Sequence, residues 1–110
     1  MKLIILKDKL KEGLIIVERG VKESNNLPIL KNVLIKTFNN KIKLATTNLE
    51  LGINKYITVK IIEEGGITIP FNTFYSVITN TDSERINLET DKNNLIIKTD
   101  NYQARIQGLN

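Results

Sequence analysis

A chain of 110 residues is the size of one ordinary domain. Its composition, 41% hydrophobic and 25% charged, is that of a folded globular protein, and 16 Lys+Arg against 12 Asp+Glu leave a net charge of +4, compatible with a polyanionic partner but not specific for one. With no Cys and no His, disulfides, thiolate nucleophiles, Ser-His-Asp and Cys-His catalysis and the usual zinc sites are excluded.

The amino terminus lacks the marks of an export segment. The apolar run Leu3–Leu6 meets Lys7, Asp8 and Lys9 at once. A secretory signal needs an apolar core of about 7–15 residues, and a membrane span about 18 or more. The chain is therefore expected in the cytoplasm, with no membrane partner. Lys supplies 13 of the 16 basic residues, a bias that fits an AT-rich coding sequence and makes any single Lys less informative.

Residues 2–6, an apolar run bounded by charge, read as a short buried strand. From Lys7 the period changes. Leu10, Leu14, Val17 and Val21 recur at spacings of four, three and four, one stripe of an amphipathic helix. Gly13 falls beside the stripe, and Lys7, Lys11, Glu12, Glu18 and Arg19 fall off it. Ile15 and Ile16 do not fit, and nothing in the sequence accounts for their facing water. Gly20 reads as the helix end, followed by a loop at Ser24-Asn25-Asn26 and Pro28.

Val33–Phe38 and Lys41–Thr47 are strand-like and flank Asn39-Asn40, residues that tolerate the positive φ of a tight hairpin turn. Alternation at Leu51, Ile53, Ile57, Val59 and Ile61 predicts a third strand over 49–61, ended by Glu63-Glu64-Gly65-Gly66. Ile67–Pro70 is another short strand. Phe71, Phe74, Tyr75 and Ile78 then have helical spacing through Asn80, with Pro70 suited to the first turn. Three strands close the chain, Arg85–Thr90, Leu95–Thr99 and Tyr102–Gln107, with turns at Asp91-Lys92-Asn93-Asn94 and Asp100-Asn101. The order strand, helix, three strands thus occurs twice. It predicts one α+β domain over 1–110, with two helices packed on one face of antiparallel sheet.

Little in the chain could carry catalysis. Gly65-Gly66 lacks the Lys-Ser/Thr and the following helix of a phosphate-binding loop and reads as a turn, with Glu63 and Glu64 solvated beside it. Glu50, in Thr47-Asn48-Leu49-Glu50, reads as part of a bend, and the spacing places no second carboxylate beside it for acid–base work. No metal or cofactor is implied. The cations are spread out. Residues 7–23 hold five cations and four anions, residues 31–60 hold six Lys and one Glu, and the second helix holds no charge. A nucleic-acid binder usually clusters its cations, and with aromatics at 5%, mostly at core-like positions, no stacking platform is evident.

Several words of the sequence occur in a telling order: Met1-Lys2-Leu3 ahead of a helix, Leu27-Pro28-Ile29-Leu30, Asn32-Val33-Leu34-Ile35, Thr47-Asn48-Leu49-Glu50, Ile69-Pro70 and Ala104-Arg105-Ile106-Gln107-Gly108-Leu109. With the doubled architecture, they make the chain resemble the amino-terminal domain of the bacterial DNA polymerase III β subunit, the sliding clamp, from residue 1 to 110. The resemblance implies a DNA-clamp fold and a non-catalytic processivity factor in DNA replication. It implies a head-to-tail homodimer closed around duplex DNA without regard to sequence, which tethers the replicative polymerase. The alternative is a small standalone module that associates with itself through sheet edges and has no DNA role.

The resemblance also nominates residues. The first helix and the loop after it would face the DNA, which points to Lys9, Lys11, Arg19, Lys22, Ser24 and Asn25, each of which could equally be an ordinary solvated group. Ser24 stands where relatives often carry a basic residue, and Asn48 stands where they usually carry Asp. The last strand would meet a partner subunit, with Ala104 and Ile106 at apolar contact positions. Thr73, Asn101 and Gln103 stand at positions often basic elsewhere, so the ion pairs of that junction are not expected. Polymerase and clamp-loader contacts would belong to later clamp domains. The end at Gly108-Leu109-Asn110 reads as a fragment or a shortened reading frame.

Overall fold

A computed structural model describes residues 1–22, 31–47 and 52–109 of the chain. Strand β1 (Lys2–Leu6) turns Leu3 and Ile5 inward and passes without a loop into helix α1 (Lys7–Lys22). Leu10, Leu14, Val17 and Val21 are buried along one stripe of α1, as their spacing predicts. Gly20 does not end the helix, which continues to Lys22. Its role is close approach. A Cβ on Gly20 would run into Thr46 Oγ1, and that buried hydroxyl donates to the Val17 carbonyl at 2.6 Å. Gly13, on the same side of α1, meets Ile57 and Leu44 in the same manner. The two glycines let the helix backbone sit close against the strands, Gly13 over the flexible ends of Ile57 and Leu44 and Gly20 over Thr46.

β2 (Asn32–Phe38) and β3 (Lys41–Thr47) pair antiparallel, and Asn39 and Asn40 between them hold φ values of 46° and 65°, as the turn expected there requires. Of the single strand expected over 49–61, residues 49–51 lie outside the described residues, and the remainder is divided between two strands. β4 (Gly52–Thr58) pairs with β3, whereas β5 (Lys60–Glu63) pairs with β1 in a different sheet. Val59 is the junction, its N–H donating to the Asn40 carbonyl at 3.1 Å. Apolar alternation runs straight through Ile57, Val59 and Ile61, so periodicity alone could not register the change of sheet.

β6 (Gly66–Pro70) leads into α2 (Phe71–Thr79), then β7 (Arg85–Asp91), β8 (Asn94–Lys98) and β9 (Gln103–Gln107). Pro70 is the N-cap of α2, just ahead of its first turn, and the Phe71 N–H donates to the Lys31 carbonyl. The described strands form two antiparallel sheets, ordered β5-β1-β7-β8-β9 and β4-β3-β2-β6. Each three-stranded meander thus takes its fourth strand from the start of the other half: β1 joins β7-β8-β9, and β6 joins β2-β3-β4. The helices pack on each other and on both sheets, rather than on one face of a single sheet, α1 against β1, β3 and β4, α2 against β2, β6 and β9. One apolar core, including Leu3, Leu14, Ile35, Phe74 and Leu88, joins both halves. After β9 the Leu109 N–H donates to the Thr68 carbonyl at 2.9 Å and ties the end of one sheet to the edge of the other.

Candidate nucleic-acid interface

The outward side of α1 follows from its buried stripe. Each helical residue is rotated by about 100° from the last, so Lys9 and Lys11 stand about 200° apart and serve opposite flanks. Lys9 is exposed on the β4 side, where it borders a hollow of about 280 Å³ with Leu6, Glu12 and Lys55. Lys11 is half-buried on the other flank, in line with Lys7 and Glu18. Arg19 is exposed between the flanks, and with Ile15, Ile16 and Ile53 it lines an open hollow of about 450 Å³. Lys22 is the last residue of α1, and Ser24 and Asn25 lie outside the described residues.

The helix therefore does not gather its nominated cations at one point. Ile15 and Ile16 are 50% and 44% exposed, and Asp8 and Glu12 share the solvent face with Arg19. Among the described residues, Lys9, Lys11 and Arg19 make no ion pair that would lock them. Unlocked cations on a wide helix face suit phosphate contact that follows the backbone of any sequence.

The junction residues divide by face. β9 lies at an edge of the five-stranded sheet, beside α2. Thr73, Asn101 and Gln103 are exposed there. Ala104 is half-buried, and Ile106, at 5% exposure, belongs to the core of its own domain. The reason is the two-residue period of a strand: Ala104 and Ile106 share the inward face, leaving Gln103, Arg105 and Gln107 outward. As a contact, Ile106 is already engaged at home.

Two sets of polar contacts were not legible in the sequence. On the outer face of the five-stranded sheet, Lys98 meets Glu89 at 2.6 Å, Lys2 lies 4.0 Å from the same carboxylate, and Arg105 lies 3.8 Å from Asp91. The Lys98 hydrogen bond and charge, helped by Lys2, hold the Glu89 carboxyl below its ordinary value. Lys2 and Glu89 come from strands far apart in sequence, and Lys98 reaches Glu89 diagonally across the β7–β8 hairpin, so the register brings both lysines to one carboxylate. At the β5–β6 turn Glu64 is exposed, as expected, yet it accepts a hydrogen bond from Thr37 Oγ1 at 2.6 Å, and the Gly65 N–H donates to the same hydroxyl at 2.8 Å.

Against known proteins, residues 1–110 match the family described as DNA polymerase III beta subunit, N-terminal domain. The chain belongs to that family. The beta sliding clamp of Synechocystis sp. is 31% identical over 93 residues, which is 83% of this chain and 24% of the relative. The beta sliding clamp of Chlamydia muridarum is 30% identical over 78 residues, 71% of this chain and 21% of the relative. The chain thus spans about a fifth to a quarter of the length of these curated relatives. A solved DnaN sliding clamp (DNA polymerase III subunit beta) from Bartonella birtlesii, bound to griselimycin, has a TM-score of 0.91 at 29% identity, covering 99% of this chain and 30% of that one. Caulobacter crescentus pol III beta has a TM-score of 0.91 at 26% identity, covering 100% and 30%. The α+β arrangement of two helices and two antiparallel sheets is that of a polymerase III β-subunit domain.

Proposed function

We propose that this chain serves as the amino-terminal part of a DNA polymerase processivity clamp. In this reading α1 and the segment after it face duplex DNA, and the β9 edge faces another subunit of a head-to-tail homodimer. The role is accessory and non-catalytic: a ring holds a polymerase near its template, so that dissociation no longer ends synthesis. The polymerase, the clamp loader and a cytoplasmic setting come with that reading. One observation carries it: the family match and the structural likeness to solved sliding clamps both run the length of the chain. The dispersed cations of α1 agree with it, because a clamp that slides needs weak phosphate contact and is retained by topology. The standalone self-associating module has no comparable support.

The test is duplex binding as a function of salt. The isolated chain should bind a labelled duplex weakly at low ionic strength. Affinity should fall with a log–log slope of up to roughly 3 to 4 if Lys9, Lys11, Arg19 and Lys22 each neutralise about one phosphate. The Lys9→Glu/Arg19→Glu pair should remove most of that binding and leave the fold intact, both side chains being exposed. Duplex binding that ignores salt, or that survives the double substitution unchanged, would reject α1 as the DNA-facing surface.

A further inference from the structure

The outer face of the four-stranded sheet carries a second surface. The strands β2, β3, β4 and β6 contain four Lys and no Asp or Glu. Register and alternation put three of those lysines outward in two adjoining rows. In one row Lys36, Lys43 and Tyr56 are direct cross-strand neighbours, and in the next so are Phe38, Lys41 and Thr58. Phe38 is 58% exposed and Tyr56 48%. Together with Lys36, Thr37 and Lys43 they line a hollow of about 250 Å³. Among the described residues none of Lys36, Lys41 and Lys43 makes an ion pair, in contrast to Lys2, Lys98 and Arg105 on the outer face of the other sheet. The aromatics expected at core-like positions are therefore divided: Phe71 and Phe74 are in the core, and Phe38 and Tyr56 stand in solvent among lysines.

We propose that this face binds single-stranded nucleic acid, with Phe38 and Tyr56 each stacking one base and Lys36, Lys41 and Lys43 contacting the phosphates between them. Phe38 and Tyr56 are two strands apart and two residues apart along the strand direction, roughly 10 Å across and 7 Å along. That separation suits non-adjacent bases of an extended strand running over β3. Exposed aromatics on the two strands that flank β3 in an open sheet, framed by cations, have the chemistry of a base-stacking platform. A duplex would offer such a platform phosphates alone, because its base faces are covered. An acidic peptide would use the lysines and leave the rings idle. A second copy of the chain would set lysine against lysine. The surface is distinct from α1, whose helix packs on the inner side of the same sheet.

Fluorescence anisotropy with a labelled oligothymidylate tests the assignment. Phe38→Ala and Tyr56→Ala should each weaken binding by roughly fivefold or more, and Lys36→Ala and Lys43→Ala should each lower the log–log salt slope by about 0.7. The α1 variant Lys9→Glu/Arg19→Glu should leave oligothymidylate binding in place while it removes duplex binding, so the two surfaces fail or succeed separately. All these side chains are outward, and unchanged circular dichroism would show that the variants fold. The proposal is overturned if the chain fails to bind oligothymidylate at low salt, if the aromatic variants bind as wild type, or if polyglutamate competes as well as the oligonucleotide.

Discussion

Glu89 sits in the outer face of the five-stranded sheet with a lysine on either side. Lys98 contributes most to the lowered carboxyl value and Lys2 least. A folded-state value below the ordinary 4.5 means that the carboxylate adds stability above about pH 4.5 and loses it as pH falls through the folded value. The lysines are about half exposed, so the contribution is on the order of 0.5 kcal/mol. Glu89→Gln should therefore cost roughly that much near neutral pH and less at acid pH, read as urea midpoints at the two pH values. An equal cost at both would assign the effect to packing rather than charge. At the same scale, the sequence named Ile106 as a contact and could not show which way it points. Its two-residue period with Ala104 was visible; the side of β9 that faces the core was not.

Within elements, the seating of α1 is the decisive feature. Gly13 and Gly20 both bring its backbone down on the sheet, but their neighbours differ. Gly13 meets the ends of Ile57 and Leu44, which can shift, whereas Gly20 meets a β-branched Thr46 already bonded to the Val17 carbonyl. Alanine gains about 1 kcal/mol of helix propensity over glycine at either site. Gly13→Ala should come out within about 1 kcal/mol of neutral, while Gly20→Ala should destabilise by about 1–3 kcal/mol through overpacking. Thermal melts of the two variants check the order; a stabilised Gly20→Ala would contradict the close contact. The helix stripe and the Asn39-Asn40 turn were readable because both are local patterns. The β4–β5 break was not, since Val59 keeps the alternation while the chain changes partners.

The whole molecule is built by exchange. Each half supplies a leading strand to the other half's sheet, and one core spans both. A meander without its fourth strand leaves an open edge and uncovered apolar side chains. Residues 1–65 and 66–110, made separately, should each lack cooperative folding, and on mixing they should recover the circular dichroism of the intact chain. If either piece folds alone with a sharp melt, the halves are independent and the exchange is not what holds them. At this scale the charge also changes meaning. In the sequence, six Lys over residues 31–60 look diffuse; folding sorts three of them to one face beside Phe38 and Tyr56.

What the sequence determined by itself is both helices and the strands other than the β4–β5 break, the buried stripe of α1, the asparagine turn and, through its ordered motifs, the family and the doubled α+β plan. Those are carried by short-range period and turn chemistry, which act within a few residues. The tertiary structure alone decided that there are two sheets, that Ile106 faces inward, that Gly20 is a contact rather than an end, and that lysines and aromatics converge on one face. Each of those depends on which distant strand pairs with which, and a one-residue change of register or a change of sheet reverses it without altering any local pattern. The basic excess of the composition is thus dispersed on α1 and gathered on the four-stranded sheet.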